Sequence, residues 1–275
     1  DTLRCSGLLH CNTGKTLYKV GDIESTAYEP WRLDNCMAVV TAGAIENGPM
    51  LGSGWAESIA GALAQAGATV AVASVDSDLL DATMKVIEGQ GQNGLPLQGQ
   101  FKDEKEVIAA LEKAVIGRAG LDVLVNAPKA EFFAPALEIS TSDWTSFHTL
   151  VVDQTFIWCR EAAKLMSHRG CGRIVNVISG LSRRGMANAS AFSATQGALE
   201  SMTRSLALEW APLGIRVNGI GTGWSQETMK PPKQQLQEQL VRYLPLRRRG
   251  VPSDVGSLAV YLASEASSFV SGQTI

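Results

Sequence analysis

The sequence predicts an α/β fold in which a doubly wound parallel sheet has helices on both faces. From Met37 onward, short apolar runs alternate with longer amphipathic segments, and a continuous apolar run is typical of a strand buried on both faces. Glycines also follow the predicted helices closely, as C-capping residues do; they are Gly67, Gly89, Gly120, Gly170 and Gly214. This alternation is typical of right-handed strand–helix–strand units.

The predicted elements follow one another in a regular order. We predict strands at Met37–Thr41, Thr69–Ala73, Leu95–Phe101, Leu121–Asn126, Arg173–Ser179 and Arg216–Ile220. We predict helices over Glu57–Ala66, Leu79–Glu88, Glu104–Arg118, Ser142–His168, Ala191–Ala211 and Ser253–Ser264. Before the last helix, Pro231, Pro232 and the glutamine-rich stretch Gln234–Gln239 predict an inserted loop with a short polar helix.

Length and periodicity indicate a single domain with an extension. The chain has 275 residues, which is within the range of one large α/β domain. Residues 1–35 show no sustained period, and we interpret them as an N-terminal arm that Tyr28 and Trp31 could anchor. Residues 36–275 form the predicted domain. The first residue is Asp1, and removal of a presequence and simple trimming are both open explanations.

Composition and charge exclude several classes of protein. The net charge of −3 and the sequence pI of about 5.7 give no electrostatic case for nucleic-acid binding. No apolar run reaches the ~18 residues of a transmembrane helix. Five cysteines without a Cys-x-x-Cys pair predict reduced thiols in a reducing soluble compartment, either the cytoplasm or an organellar matrix or stroma after presequence removal. A bridge or metal site between Cys5 and Cys11 is the weaker alternative, and the isolated histidines predict no metal site.

A glycine-rich segment joins the first strand to the first helix. It contains Gly43, Gly52 and Gly54, and such glycines let backbone amides approach a pyrophosphate at a helix N-terminus. A flexible turn is the alternative interpretation. Ser74 follows the predicted second strand at the position where an NAD site normally has an acidic residue, and we expect Asp76 to cap the next helix. No arginine marks a 2′-phosphate pocket, so the choice between NAD and NADP stays open.

Several longer motifs agree with one family in their order and spacing. Leu121–Asn126 resembles that family's fourth strand, Gly172–Asn176 leads into its serine strand, and Glu209–Asn218 is highly specific for it. From about Met37 to the last residue, the chain thus resembles the classical short-chain dehydrogenases/reductases, which implies a Rossmann-type fold. Gly52–Ala56, in a lengthened loop, is more similar to the enoyl-thioester reductase branch.

The resemblance implies four polar positions at the site. In the family a Tyr transfers a proton, a Lys lowers the pKa of that Tyr and binds the nicotinamide ribose, a Ser orients the carbonyl, and an Asn helps to relay the proton. The Ser position holds Ser179. The Tyr, Lys and Asn positions hold Phe192, Gln196 and Val151, and none of these side chains carries a charge or a titratable proton. The sequence therefore predicts a degenerate catalytic site.

The resemblance also implies changes on the cofactor side. Asn126 keeps its family position, but Lys129 stands where a Gly allows close approach of the cofactor. Gln100 or Phe101 occupies the position of an adenine-contacting Asp, and Thr222 replaces a Pro. These changes put tight binding of the cofactor in doubt. The predicted NAD(P)(H)-binding positions are Gly43, Gly52, Gly54, Ser74 and Asn126.

These observations favour a non-catalytic structural or regulatory subunit of an assembly. The resemblance implies that the helices Ser142–His168 and Ala191–Ala211 pair across subunits, so other protein subunits are the expected partners, in a homo-oligomer or a larger complex. Two alternatives stay open. One is an NAD(P)H-dependent carbonyl or enoyl-thioester reductase with an atypical site. The other is a dinucleotide-sensing binder that does not turn the cofactor over.

Overall fold

A computed structural model describes residues 29–43, 54–128, 130–225 and 238–275. The strands form one parallel six-stranded sheet in the order β3-β2-β1-β4-β5-β6, which confirms the predicted doubly wound α/β fold. The strands are β1 (Met37–Gly43), β2 (Thr69–Ser74), β3 (Leu95–Gln98), β4 (Val123–Pro128), β5 (Gly172–Ser179) and β6 (Ile215–Thr222). The third strand is shorter than predicted because the backbone turns at Phe101, whose φ is 52°.

Helices cover both faces of the sheet. They are α1 (Gly54–Gln65), α2 (Ser77–Glu88), α3 (Glu104–Val115), α4 (Thr141–His148), α5 (Gln154–Ser167), α6 (Ser190–Trp210), α7 (Gln239–Tyr243) and α8 (Ser253–Ala263). A π-helical turn, Thr149–Asp153, separates α4 from α5. The single helix predicted over 142–168 is therefore interrupted by a wider turn, a feature that often marks functional sites.

The core has one apolar layer on each face of the sheet, because successive side chains of a strand point to opposite sides. Ala38 and Val40 of β1 pack with α1, α2 and α8, whereas Met37 and Val39 pack with α3, α5 and α6. A third apolar cluster lies towards the start of α6 and contains Phe192. This third cluster belongs to the candidate site rather than to the main core.

The family-specific segment before and within β6 has a structural explanation. Gly214 adopts a φ of 72°, and a Cβ there would lie 1.9 Å from the carbonyl oxygen of Gly170, so only glycine fits. Arg216 is largely buried, which lowers its pKa to about 10. Its guanidinium donates to the carbonyl oxygens of Leu262, Ser264 and Val270 and to the hydroxyl of Ser267. This motif therefore fastens the C-terminal segment to the sheet.

The end of the predicted N-terminal arm packs on the domain. Trp31 contacts the ring of Tyr261, with 5.3 Å between the ring centroids, and the Ala266 amide donates to the Pro30 carbonyl at 3.2 Å. Tyr28 lies outside the described residues, and the boundary at residue 35 stays a prediction. Within the parts of the chain that the structure describes, no helix has the length and apolar character needed to cross a membrane.

Candidate active site

The candidate site lies at the carboxyl edge of the sheet. The strand order reverses between β1 and β4, and ligands of open α/β sheets bind in the crevice outside the carboxyl ends at such a reversal. Ser74 and Ser179 end β2 and β5, Thr222 ends β6, and Asn126 lies near the end of β4. The fold thus brings most of the sequence-predicted positions to one edge.

Gln196 is bound to the backbone of Ser179. Its Oε1 accepts a hydrogen bond from the Ser179 N–H at 2.7 Å, and the residue is only 5 % exposed. A lysine in this position has no acceptor atom and could not make the same bond. Ser179 Oγ in turn accepts from the Leu181 amide at 3.3 Å. The glutamine therefore holds the serine strand against the first turns of α6.

The rest of the Gln196 amide is available to a ligand. Among the described residues, none accepts a hydrogen bond from Gln196 Nε2, and none accepts the proton of the Ser179 hydroxyl. Two donors on nearly buried or half-buried groups thus stand beside the crevice without acceptors among the residues that the structure describes. A cofactor or substrate with oxygen acceptors there, such as ribose hydroxyls or a carbonyl group, would satisfy both, so the residues present fit a nicotinamide dinucleotide and its substrate.

Phe192 and Val151 meet in the third apolar cluster instead of forming a polar relay. Phe192 is 7 % exposed, and its ring centroid lies 5.5 Å from that of Phe133 and 6.4 Å from that of Phe147. Val151 is fully buried in the same cluster, on the π-helical turn. Neither Phe133 nor Phe147 was singled out from the sequence, although Phe133 follows β4 closely enough to signal a site residue.

Asn126 is committed to the interior of the protein. Its Nδ2 donates to Asn176 Oδ1 at 2.9 Å and to Cys159 Sγ at 3.2 Å, and Thr41 Oγ1 donates to its Oδ1 at 3.4 Å. Asn176 Nδ2 continues the network to Thr203 Oγ1 at 2.9 Å. Burial raises the pKa of the Cys159 thiol to about 12, so this cysteine stays neutral. The network joins the sheet to α5 and α6, and a cofactor contact by Asn126 stays a prediction.

The end of β2 has no free carboxylate in the part that the structure describes. Asp76 Oδ1 accepts from the amides of Asp78 and Leu79 at 2.9 and 3.2 Å, which confirms that Asp76 caps α2. Ser74 Oγ accepts from the Asp76 amide at 3.1 Å and is almost completely buried. Ser74 therefore occupies the predicted place, without the charge that usually binds ribose hydroxyls.

The glycine-rich segment is described only at its two ends. Gly43 ends β1 and Gly54 begins α1, whereas Gly52 and Lys129 lie outside the described residues. A Cβ on Gly54 would lie 2.6 Å from Pro252 Cγ, so packing against the start of α8 already requires a glycine there. The phosphate-binding role of these glycines stays a prediction.

The fold and site define a class of protein, and comparisons with known proteins identify the family. The family model described as Enoyl-(Acyl carrier protein) reductase matches residues 48–275. A 2-dehydro-3-deoxy-D-gluconate 5-dehydrogenase of Formosa agariphila is 29 % identical over 78 % of this chain and 83 % of its own length. A cis-4-hydroxycyclohexanecarboxylate dehydrogenase of Sinomonas cyclohexanicum is 32 % identical over 86 % of this chain and 92 % of its own.

Solved structures give the same result. A gluconate 5-dehydrogenase from Burkholderia cenocepacia J2315, solved in complex with NADP and tartrate, superposes with a TM-score of 0.74 at 26 % identity, covering 90 % of this chain and 94 % of that one. The chain belongs to the short-chain dehydrogenase/reductase family.

These relatives correct the functional prediction. The expectation of a non-catalytic structural or regulatory subunit is wrong, because relatives that match most of the chain are named dehydrogenases. The doubt over cofactor binding is not upheld either, since a relative with the same fold holds NADP. Phe192 and Gln196 alone are not enough to predict a non-catalytic protein. The sequence does not reveal that Gln196 accepts a hydrogen bond from the Ser179 amide.

Proposed function

We propose that this protein is an NAD(P)-dependent oxidoreductase that interconverts a ketone and a secondary alcohol. The observation that best supports the proposal is the Gln196–Ser179 hydrogen bond at the carboxyl edge of the sheet, where no described residue accepts from Gln196 Nε2 or from the Ser179 hydroxyl. The names of the relatives support the reaction type, since they describe dehydrogenases of hydroxylated acids. An enoyl thioester is the second candidate substrate, supported by the description of the matching family model.

Each described site residue has a role in this proposal. When bound, NAD(P)H supplies a hydride to the carbonyl carbon, and the reaction balances as ketone + NAD(P)H + H⁺ giving alcohol + NAD(P)⁺. Ser179 Oγ donates a hydrogen bond to the substrate oxygen and orients the carbonyl. Gln196 Nε2 donates to a hydroxyl oxygen of the ribose. The proton for the substrate oxygen comes from water, because Phe192 has no proton to give.

This arrangement predicts a slow enzyme. A positioned general acid or base typically contributes about 10²–10⁴-fold to the rate. Water in place of a tyrosine hydroxyl lacks that positioning, so turnover should be lower than in relatives that keep the tyrosine. Hydrogen bonding to the substrate oxygen remains the main contribution of the protein to the chemical step.

The test measures cofactor binding and turnover separately. Calorimetry with NADPH and NADH measures binding, and absorbance of the reduced cofactor measures turnover with ketones, hydroxy acids and an enoyl thioester. We expect Ser179→Ala to lower turnover by about 10²-fold while cofactor affinity is kept, because only the donor to the substrate oxygen is removed. The exposed Ser257→Ala on α8 serves as the matched control. Tight NADPH binding with no turnover of any substrate, or full activity of Ser179→Ala, would contradict the proposal.

A further inference from the structure

The geometry points to a substrate with an apolar ring next to its reacting carbon, held against Phe133 beside Ser179. This inference deepens the proposed function and rests on it, because it takes the crevice beside Ser179 as the place of reaction. It concerns the class of substrate, which the hydrogen bonds of Ser179 and Gln196 leave open.

The first observation is a group of aromatic rings at the candidate site, which we call the aromatic patch: Phe132, Phe133, Phe147 and Phe192. Phe133 lies 5.5 Å from Phe192 with an interplanar angle of 57°, and Phe132 lies 5.6 Å from Phe147. Ring pairs at such distances attract one another beyond the effect of their buried area. Phe192 and Phe147 are buried, so they fix the position of the more exposed Phe133.

The second observation is that the aromatic patch adjoins Ser179. Phe192 stands four residues before Gln196 on α6, so the two share one helix face, and Gln196 Oε1 accepts from the Ser179 amide; Leu181 packs on the same apolar cluster as Phe192. The Ala134 amide, next to Phe133, donates to the Asn188 carbonyl at 2.8 Å. This bond fastens the loop after β4 to the loop after β5, so the exposed ring borders the segment that begins at Ser179.

The third observation is the exposure of Phe133, which is 46 % although Phe147 and Phe192 are buried and Phe132 is partly buried. A ring-bearing ligand would remove this surface from water and add a further ring pair. A polyol would instead lose hydrogen bonds to water where it covers the Phe133 ring, which offers no donors or acceptors. Replacement of a tyrosine hydroxyl by Phe192 makes the same surface more apolar, which favours the ring further.

The test measures binding, so it does not depend on turnover. Acetophenone, a ring-bearing ketone, is titrated by calorimetry into protein saturated with NADP⁺, and threitol, a polyol, into protein saturated with NADPH, so that no hydride can be transferred in either complex. We expect acetophenone to bind more tightly than threitol. Phe133→Ala should weaken acetophenone binding by roughly three- to tenfold, the equivalent of one aromatic pair, and Phe133→Leu should weaken it less.

A matched control is available on the surface. Phe269 is fully exposed and follows α8, so Phe269→Ala removes an exposed ring elsewhere and should leave both affinities unchanged. Thermal unfolding of each variant confirms folding. Equal or tighter binding of threitol, or unchanged acetophenone affinity in Phe133→Ala, would overturn the inference.

The two proposals fail in different ways. Reduction of polyol-type ketones without any preference for rings would overturn the ring inference and leave the oxidoreductase. Ring binding that depends on Phe133, together with no turnover of any substrate, would support the ring site and overturn the oxidoreductase.

Discussion

At the residue scale, Phe192 and Gln196, the two positions of α6 that differ from the family's Tyr and Lys, each suit their own surroundings. Phe192 packs among other phenylalanines, which are surroundings that suit an apolar ring. Gln196 makes one hydrogen bond through Oε1, to a backbone amide that a lysine would leave unpaired. The site therefore has two stabilising arrangements, the packing of Phe192 and the hydrogen bond of Gln196. Restoring the family residue at one position alone disturbs the arrangement at that position.

Restoring both family residues should raise turnover. In Phe192→Tyr/Gln196→Lys, the lysine lowers the pKa of the tyrosine, and the pair supplies a positioned proton, so we expect a gain of about 10²–10⁴-fold in kcat. Each single variant should gain far less, because the tyrosine without the lysine stays a weak acid. Initial rates of NADPH oxidation over a range of pH measure the effect, and a new titration should appear only in the double variant. An inactive double variant that still binds NADPH would contradict this prediction.

At the element scale, an ion pair fixes the loop between β5 and α6. Glu200 of α6 is almost completely buried, and its Oε1 accepts from Arg183 Nε at 2.6 Å and from Arg204 Nη1 at 3.2 Å. Arg183 stands on the loop that follows Ser179. The hydrogen bond from Arg183 is the main cause that lowers the pKa of Glu200. The pair therefore holds the serine loop to the helix that carries Phe192 and Gln196.

Removing the charge of Glu200 should destabilise the protein in a pH-dependent way. A lowered carboxyl pKa stabilises the folded state above the ordinary value near 4.5, and this contribution disappears as the pH falls through the lowered pKa. Because Arg183 is well exposed, we expect Glu200→Gln to cost only about 1 kcal/mol at neutral pH. Urea unfolding at neutral and acidic pH should show this difference shrinking in acid. The exposed Glu209→Gln of the same helix should change little, and a constant difference across pH would contradict the prediction.

The end of β2 should set the preference between NADP and NAD. Ser74 stands uncharged where an NAD site usually has the carboxylate that repels a 2′-phosphate, and Asp76 is bound to the amides of α2, so we expect NADPH to bind at least as tightly as NADH. Ser74→Asp would introduce that repulsion and should shift the ratio of the two affinities towards NADH by about tenfold. Calorimetry on both variants checks this, with Ser74→Ala as the uncharged control. A ratio that stays the same in Ser74→Asp would contradict this placement of the ribose.

The sequence predicted the positions of the helices and strands better than it predicted the break within a helix. The apolar runs of the strands are visible in the sequence because both faces of each strand are buried. The π-helical turn at Val151 was not predictable, since no residue type marks a single turn of i→i+5 hydrogen bonds in the sequence. The spacing of Ser179, Phe192 and Gln196 located the site through the family resemblance. The contact of Phe133 with Phe192 and the bond of Gln196 to Ser179 required the structure, because both join residues from different elements.

At the scale of the whole molecule, α6 presents a stripe of small side chains to solvent. Its members Ala194, Ala198, Ser201 and Ser205 recur every three or four residues, which places them on one helix face, and the exposed Leu208 follows them on the same face. The opposite face of α6 is buried against the sheet. Small residues allow two helices to approach closely, and the resemblance to the family implies that this helix pairs across subunits. We therefore expect a homo-oligomer.

The association should depend on the α6 stripe. Light scattering coupled to size exclusion should give a mass of at least two chains of 29.2 kDa. In a symmetric dimer a residue near the axis meets its own copy, so Ser205→Glu places two like charges close together and should reduce the mass towards that of one chain. Ser77→Glu is the matched control, because it adds the same charge to α2, whose apolar side packs on the other face of the sheet. A wild-type chain that is monomeric at high concentration, or equal effects of the two variants, would contradict association through α6.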